Sequence, residues 1–141
     1  MKRILNPVYI LLFFIATTIA TTAACKKSGG GDGGGCGETA LTVTTTPAIG
    51  TTEAPSAGTT FPLMVNVSAN LPASGVTIDV KARAESSSTA FYTESKTATA
   101  AVTNFTITAT PLGVPCIVEI TVTSKSCATN KFSGTYRYSR K

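Results

Sequence analysis

Between Phe61 and Tyr138, apolar residues keep returning at every second position. In Phe61-Pro62-Leu63-Met64-Val65-Asn66-Val67-Ser68 the odd positions are apolar. In Val76-Thr77-Ile78-Asp79-Val80-Lys81-Ala82-Arg83 the even positions are apolar and the odd ones polar or charged, and Cys116 to Thr123 repeats the pattern. A period of two belongs to an extended strand with one buried face and one wet face. No stretch carries apolar residues at helical spacing over three turns, so no amphipathic helix is predicted. Leu41 and Val43 mark a further strand, Phe91 and Tyr92 a short middle one, and Val102 to Ala109 another around Phe105-Thr106-Ile107. Phe132 to Tyr138 adds one more, with Phe132, Tyr136 and Tyr138 on one face. Turn residues separate these segments at Asn70 to Gly75, Pro111 to Pro115 and Ser124 to Asn130. About six or seven short strands, with a turn roughly every ten residues, predict an all-β fold: a single antiparallel β-sandwich. It occupies residues 38–141, and roughly a hundred residues suffice for one domain but not two.

Ahead of that domain the pattern changes twice. Lys2 and Arg3 precede a densely apolar run from Val8 to Ala16, which gives way to Thr17, Thr18, Thr21 and Thr22 and ends in Thr22-Ala23-Ala24-Cys25. A charged start, a short apolar stretch and a small-residue exit describe an export signal over residues 1–24. A membrane-spanning helix would need about 20 mainly apolar residues. Small residues directly before a cysteine resemble the lipobox of bacterial lipoproteins. That resemblance implies that Cys25 becomes the first residue of the mature chain and carries diacylglycerol and an N-acyl group such as palmitate. Each buried methylene contributes about 0.8 kcal/mol, and two or more chains make attachment lasting. No Asp follows Cys25, and Lys26-Lys27-Ser28 holds no acidic cluster. By the same resemblance the expected address is the outer membrane of a bacterial envelope, with its periplasmic or surface face left open. Plain secretion after Ala24 and a retained helix are the alternatives. Residues 25–37 then form a tether: seven glycines between Ser28 and Gly37 offer no side chains to bury and have much backbone entropy to lose on ordering.

The strand spacing from about Thr39 to Arg140 resembles immunoglobulin-like or fibronectin type III-like modules. The antibody-type tryptophan and the tyrosine two residues before a cysteine are both missing, so a generic Ig-like sandwich is the expectation. With Cys25 lipidated, Cys36, Cys116 and Cys127 remain in an oxidising compartment, and an odd count leaves one thiol free or paired with another molecule. Cys116 to Ser124 as a straight strand spans about 25–30 Å, too far for Cys116 to reach Cys127 within the ~7 Å a disulfide tolerates. In an Ig-like sandwich the N-terminus lies beside the loop between the last two strands. The resemblance therefore implies a Cys36–Cys127 bridge, with Cys116 as a small buried hydrophobe. No bridge at all is the alternative, and without lipidation four cysteines would allow two.

The chain contains no histidine, which removes the usual general base and the commonest zinc ligand. No Cys-x-x-Cys provides a redox or zinc motif. Glu38, Glu53, Asp79, Glu85, Glu94 and Glu119 are scattered, and Asp79 and Glu119 fall on predicted exposed faces. The expectation is a protein that is not an enzyme and has no cofactor, no catalytic residues and no metal site. The net charge of +5 includes Lys2 and Arg3, which leave with the signal. Tyr136-Arg137-Tyr138-Ser139-Arg140-Lys141 has nucleic-acid-binding composition, but export and strand alternation explain it better, so no nucleic-acid partner is expected. Expected partners are the membrane, through lipid at Cys25, and another envelope protein or a glycan. The sequence reading is a binding, adhesion or assembly module displayed on a tether. Two rivals are a carbohydrate-active accessory module or small envelope enzyme, which would expose Phe91 and Tyr92, and a purely structural envelope component.

Overall fold

The computed structural model describes residues 36–141. Over this range the chain forms seven strands in two antiparallel sheets. They are β1 (Thr42–Thr46), β2 (Phe61–Ala69), β3 (Val76–Ala84), β4 (Ala90–Ala98), β5 (Val102–Ile107), β6 (Pro115–Ser124) and β7 (Lys131–Ser139). One sheet has the order β1-β2-β5 and the other β4-β3-β6-β7. The fourth strand thus pairs with the third, whereas the constant-type immunoglobulin arrangement places it in the sheet of the first two. The export signal, Cys25 and the tether up to Gly35 lie outside the described residues.

Alternation builds the core as expected. Leu63, Val65 and Val67 of β2 and Phe105 and Ile107 of β5 face Val76, Ile78, Val80 and Ala82 of β3 and Val118, Ile120 and Val122 of β6, all in one buried cluster. Tyr136 and Tyr138 join it from β7, while Arg137 between them faces outward to Glu85.

One expected strand is much longer than its pattern. In place of a short element at Phe91 and Tyr92, β4 runs for nine residues. Its register with β3 turns Tyr92, Glu94, Lys96 and Ala98 toward the interior side, so the hydrophobic alternation that betrays a strand is missing. The polar pair is tolerated because β4 is a rim strand. Lys96 Nζ lies 3.2 Å from Glu94, donates to the Asn104 carbonyl at 2.7 Å, and sits 4.6 Å over the Phe105 ring. Its alkyl stem covers core while the charge stays near water, and inward charges at a rim discourage edge-to-edge pairing. Phe91 is the extra residue where the β3–β4 register shifts, and Phe91 and Tyr92 are both half-buried against the core.

The opposite rim of that sheet is covered by the chain itself. After Thr46 a cis peptide leads into Pro47, and the chain crosses from the first sheet to the second. There it runs parallel to β7, with Gly50 N–H donating to Thr135 O at 2.8 Å, Arg137 N–H to Thr51 O at 2.9 Å and Glu53 N–H to Arg137 O at 2.8 Å. Ile49 drops into the space above Gly134, where a Cβ would meet its side-chain carbons at 2.8–2.9 Å. Only glycine allows that approach. Gly134→Val is expected to overpack the site and cost about 2 kcal/mol. The check is the denaturation midpoint, which a smaller residue at Ile49 should partly restore in the double variant.

Candidate functional site

The strands set up two distinct ends. Cys36 is bonded to Cys127, with Cα atoms 5.8 Å apart, at the end that carries the β6–β7 connection. This is the pairing implied by the sandwich resemblance. Cys116 stands at the other end of β6, opposite Tyr138, as a buried free thiol. Burial holds its pKa above the ordinary thiol value, which keeps it an unreactive thiol rather than a thiolate.

Around the bridge, Asn130 clamps the incoming segment. Fully buried, it accepts the Leu41 N–H at 3.2 Å and donates to Glu38 at 2.9 Å and to the Thr39 carbonyl at 3.1 Å. Ser126 donates to the other Glu38 oxygen. These donors, Ser126 first and Asn130 next, favour the carboxylate and hold the Glu38 pKa below its usual value. The interaction is complete above that usual value and fades as pH falls toward the depressed one. Asn130 carried no sequence signal, because an amide in a turn is ordinarily a turn-former.

The outer face of the larger sheet is charged, and Arg83 and Glu119 pair on it. Arg83 Nε donates to Glu119 at 2.8 Å, and its Nη1 donates to the Ser87 carbonyl at 3.0 Å. Asp79 and Glu119 lie on this face at neighbouring register positions, Asp79 opposite Thr121 and Glu119 opposite Lys81. Glu119 is held by Arg83. Among the described residues, no three Cys, Asp or Glu side chains gather into a group that could hold a metal ion.

A third feature arises from the crossover. β1 pairs with β2 only as far as Thr46 opposite Met64, so the first residues of β2 have no neighbour on that side. Val67 N–H points to the β5 side, donating to Ala101 O at 2.8 Å, and alternation places Pro62 on the free side. The open edge therefore presents no N–H, a protection against strand addition. Between this edge and the crossing segment lies a pocket of about 460 Å³, whose lining includes Pro47, Glu53, Phe61, Leu63, Tyr136 and Tyr138.

Aromatic rings shape one wall. Phe61 and Tyr138 have centroids 4.6 Å apart, and Tyr136 and Tyr138 6.1 Å. The two tyrosines differ at their hydroxyls. Tyr138 meets Thr110 Oγ1 at 2.8 Å, and burial pushes its pKa up to about 12. The Tyr136 hydroxyl is buried with no hydrogen-bond partner among the described residues. Burial above all holds its pKa well above the usual phenol value, so it remains a protonated donor at neutral pH. Sequence reasoning placed both tyrosines inward but missed the pocket, which depends on where β1 leaves its sheet. The Thr46-Pro47 break and Pro62 were the only local hints. Comparison of the chain with protein-family models, curated proteins and solved structures finds no match.

Proposed function

We propose that this protein is a lipoprotein of the bacterial cell envelope, anchored through acyl chains on Cys25, that displays its β-sandwich as a non-catalytic binding module. The observation that carries this reading is the Cys36–Cys127 bridge. It fastens the segment leading from Cys25 to one end of the sandwich. Strands of about nine residues, near 3.3 Å each, carry the opposite loops roughly 30 Å from that point. An anchor, a glycine spacer and a rigid body held by one end suit presentation of a surface to a partner. Lasting attachment follows from multiple acyl chains, and the outer membrane is the proposed address. The partner is another envelope protein or a glycan, met by the side or far end of the module.

The test compares the full chain with Cys25→Ser in a bacterial host fed radiolabelled palmitate. The intact chain is expected to take up label and sediment with outer membranes, and the variant to lose the label and most of the sedimented fraction. Unlabelled wild-type protein, or a variant that sediments equally well, would sink the anchoring reading.

A further inference from the structure

Glu53 is a carboxylate that the fold holds in place without giving it a cation. The segment that carries it is fastened along β7, with Glu53 N–H donating to Arg137 O at 2.8 Å and Ser56 N–H to Ser139 O at 3.1 Å. Arg137 turns its guanidinium to Glu85 instead. Glu94 and Glu119 pair with Lys96 and Arg83, but Glu53 forms no ion pair among the described residues. Its carboxylate accepts the Thr51 hydroxyl at 3.0 Å and stays exposed.

Glu53 is also the one charged residue lining the pocket of about 460 Å³ beside the free edge of β2. That volume lies within the range of small-molecule sites, which combine apolar walls with a few polar groups that fix orientation. The accessible lining includes half-buried Pro47 and Phe61 and exposed Ala54, Pro62 and Met64. The charge is felt at the wall: after burial and Tyr138, Glu53 is a further cause that raises the Tyr136 pKa. A cleft with one sign of charge and low-dielectric walls concentrates ligands of the opposite sign. A bare metal ion would need about six oxygen ligands, which a single carboxylate does not supply. We propose that the pocket binds a small organic cation, an ammonium group on an apolar body. The body packs on Phe61, Pro62 and Met64, and the ammonium meets the Glu53 carboxylate. This rests on the reading of the domain as a binding module and is independent of the anchor.

Phenylbutylammonium serves as the probe, and phenylbutanol, of the same shape without the charge, as its control. Met64 supplies the reporter, since Met1 is the only other methionine. Isotope-labelled methionine methyl groups in the detergent-solubilised full chain, with the Met64 signal assigned by its loss in Met64→Leu, are followed by NMR. The cation should shift the Met64 signal saturably, and the alcohol should need about five times the concentration, the worth of one exposed ion pair. Glu53→Gln should weaken the cation about fivefold and leave the alcohol unchanged, with no loss of melting temperature. Ala54→Trp, at an exposed lining position, should remove the saturable shift for both. No saturable shift with either probe, in a chain that carries lipid, would overturn the pocket and leave the anchoring reading standing. Equal affinity for the two probes, or a cation affinity unchanged in Glu53→Gln, would overturn recognition of charge. Saturable binding by a chain that carries no lipid would support the pocket and overturn only the anchoring.

Discussion

Cys36→Ser is expected to lower the unfolding free energy by about 4 kcal/mol, and reducing the wild-type protein should have the same effect. The bridge closes a loop of sequence separation 91, nearly the whole described domain. Cross-linking so distant a pair removes much of the unfolded chain's freedom, worth about 4–5 kcal/mol in the chain-entropy account. A domain of this size has roughly 5–15 kcal/mol in total, so the loss would move the denaturation midpoint far. Cys36 is the better position to change, since Cys127 is buried and serine there would bury a hydroxyl. Adding reductant to Cys36→Ser should change nothing further. An alkylating reagent should not reach Cys116 until the domain unfolds. A midpoint unmoved by reduction would show that the bridge adds nothing to the fold.

Asn130→Asp is expected to cost about 3–5 kcal/mol near neutral pH, although it changes one atom group. The amide now supplies two donor contacts, to Glu38 and to the Thr39 carbonyl. A carboxylate there would turn both contacts into acceptor facing acceptor, beside a second negative charge, at a position with no exposure. An unpaired buried charge of this kind costs several kcal/mol. The pH dependence distinguishes this cause from simple misfolding. Burial and the neighbouring carboxylate would raise the folded pKa of the new aspartate above its unfolded value. The penalty is then full above that folded pKa and shrinks as pH falls through it, because the protonated acid regains a donor. Urea midpoints at several pH values should show the variant approaching wild type in mild acid. A pH-independent deficit would mean that the lost packing, not the charge, is what matters.

The legibility of the fold follows burial. Where a strand has one side in the core and the other in water, as β2, β3 and β6 do, the alternation of Leu63, Val65 and Val67 or Val76, Ile78 and Val80 is readable directly. At the rim the rule fails. The interior-side positions of β4 are Tyr92, Glu94, Lys96 and Ala98, because a rim strand need only cover core with carbon stems and can send its charges to solvent. The pairing of Cys36 with Cys127 came through likeness to a known architecture, since the spacing of three cysteines does not specify connectivity.

By itself, then, the chain's local pattern determined an all-β class, the faces of its central strands and the inward aim of Tyr136 and Tyr138. Each is set by the burial preference of residues two apart on one strand. Tertiary structure alone decided that β1 leaves its sheet at Thr46 and that the chain then lies along β7 with Ile49 over Gly134. It alone left the buried Tyr136 hydroxyl without a hydrogen-bond partner among the described residues. Those features join segments some eighty residues apart in sequence. They depend on which surfaces meet after the sheets close, and no window of neighbouring residues encodes that meeting.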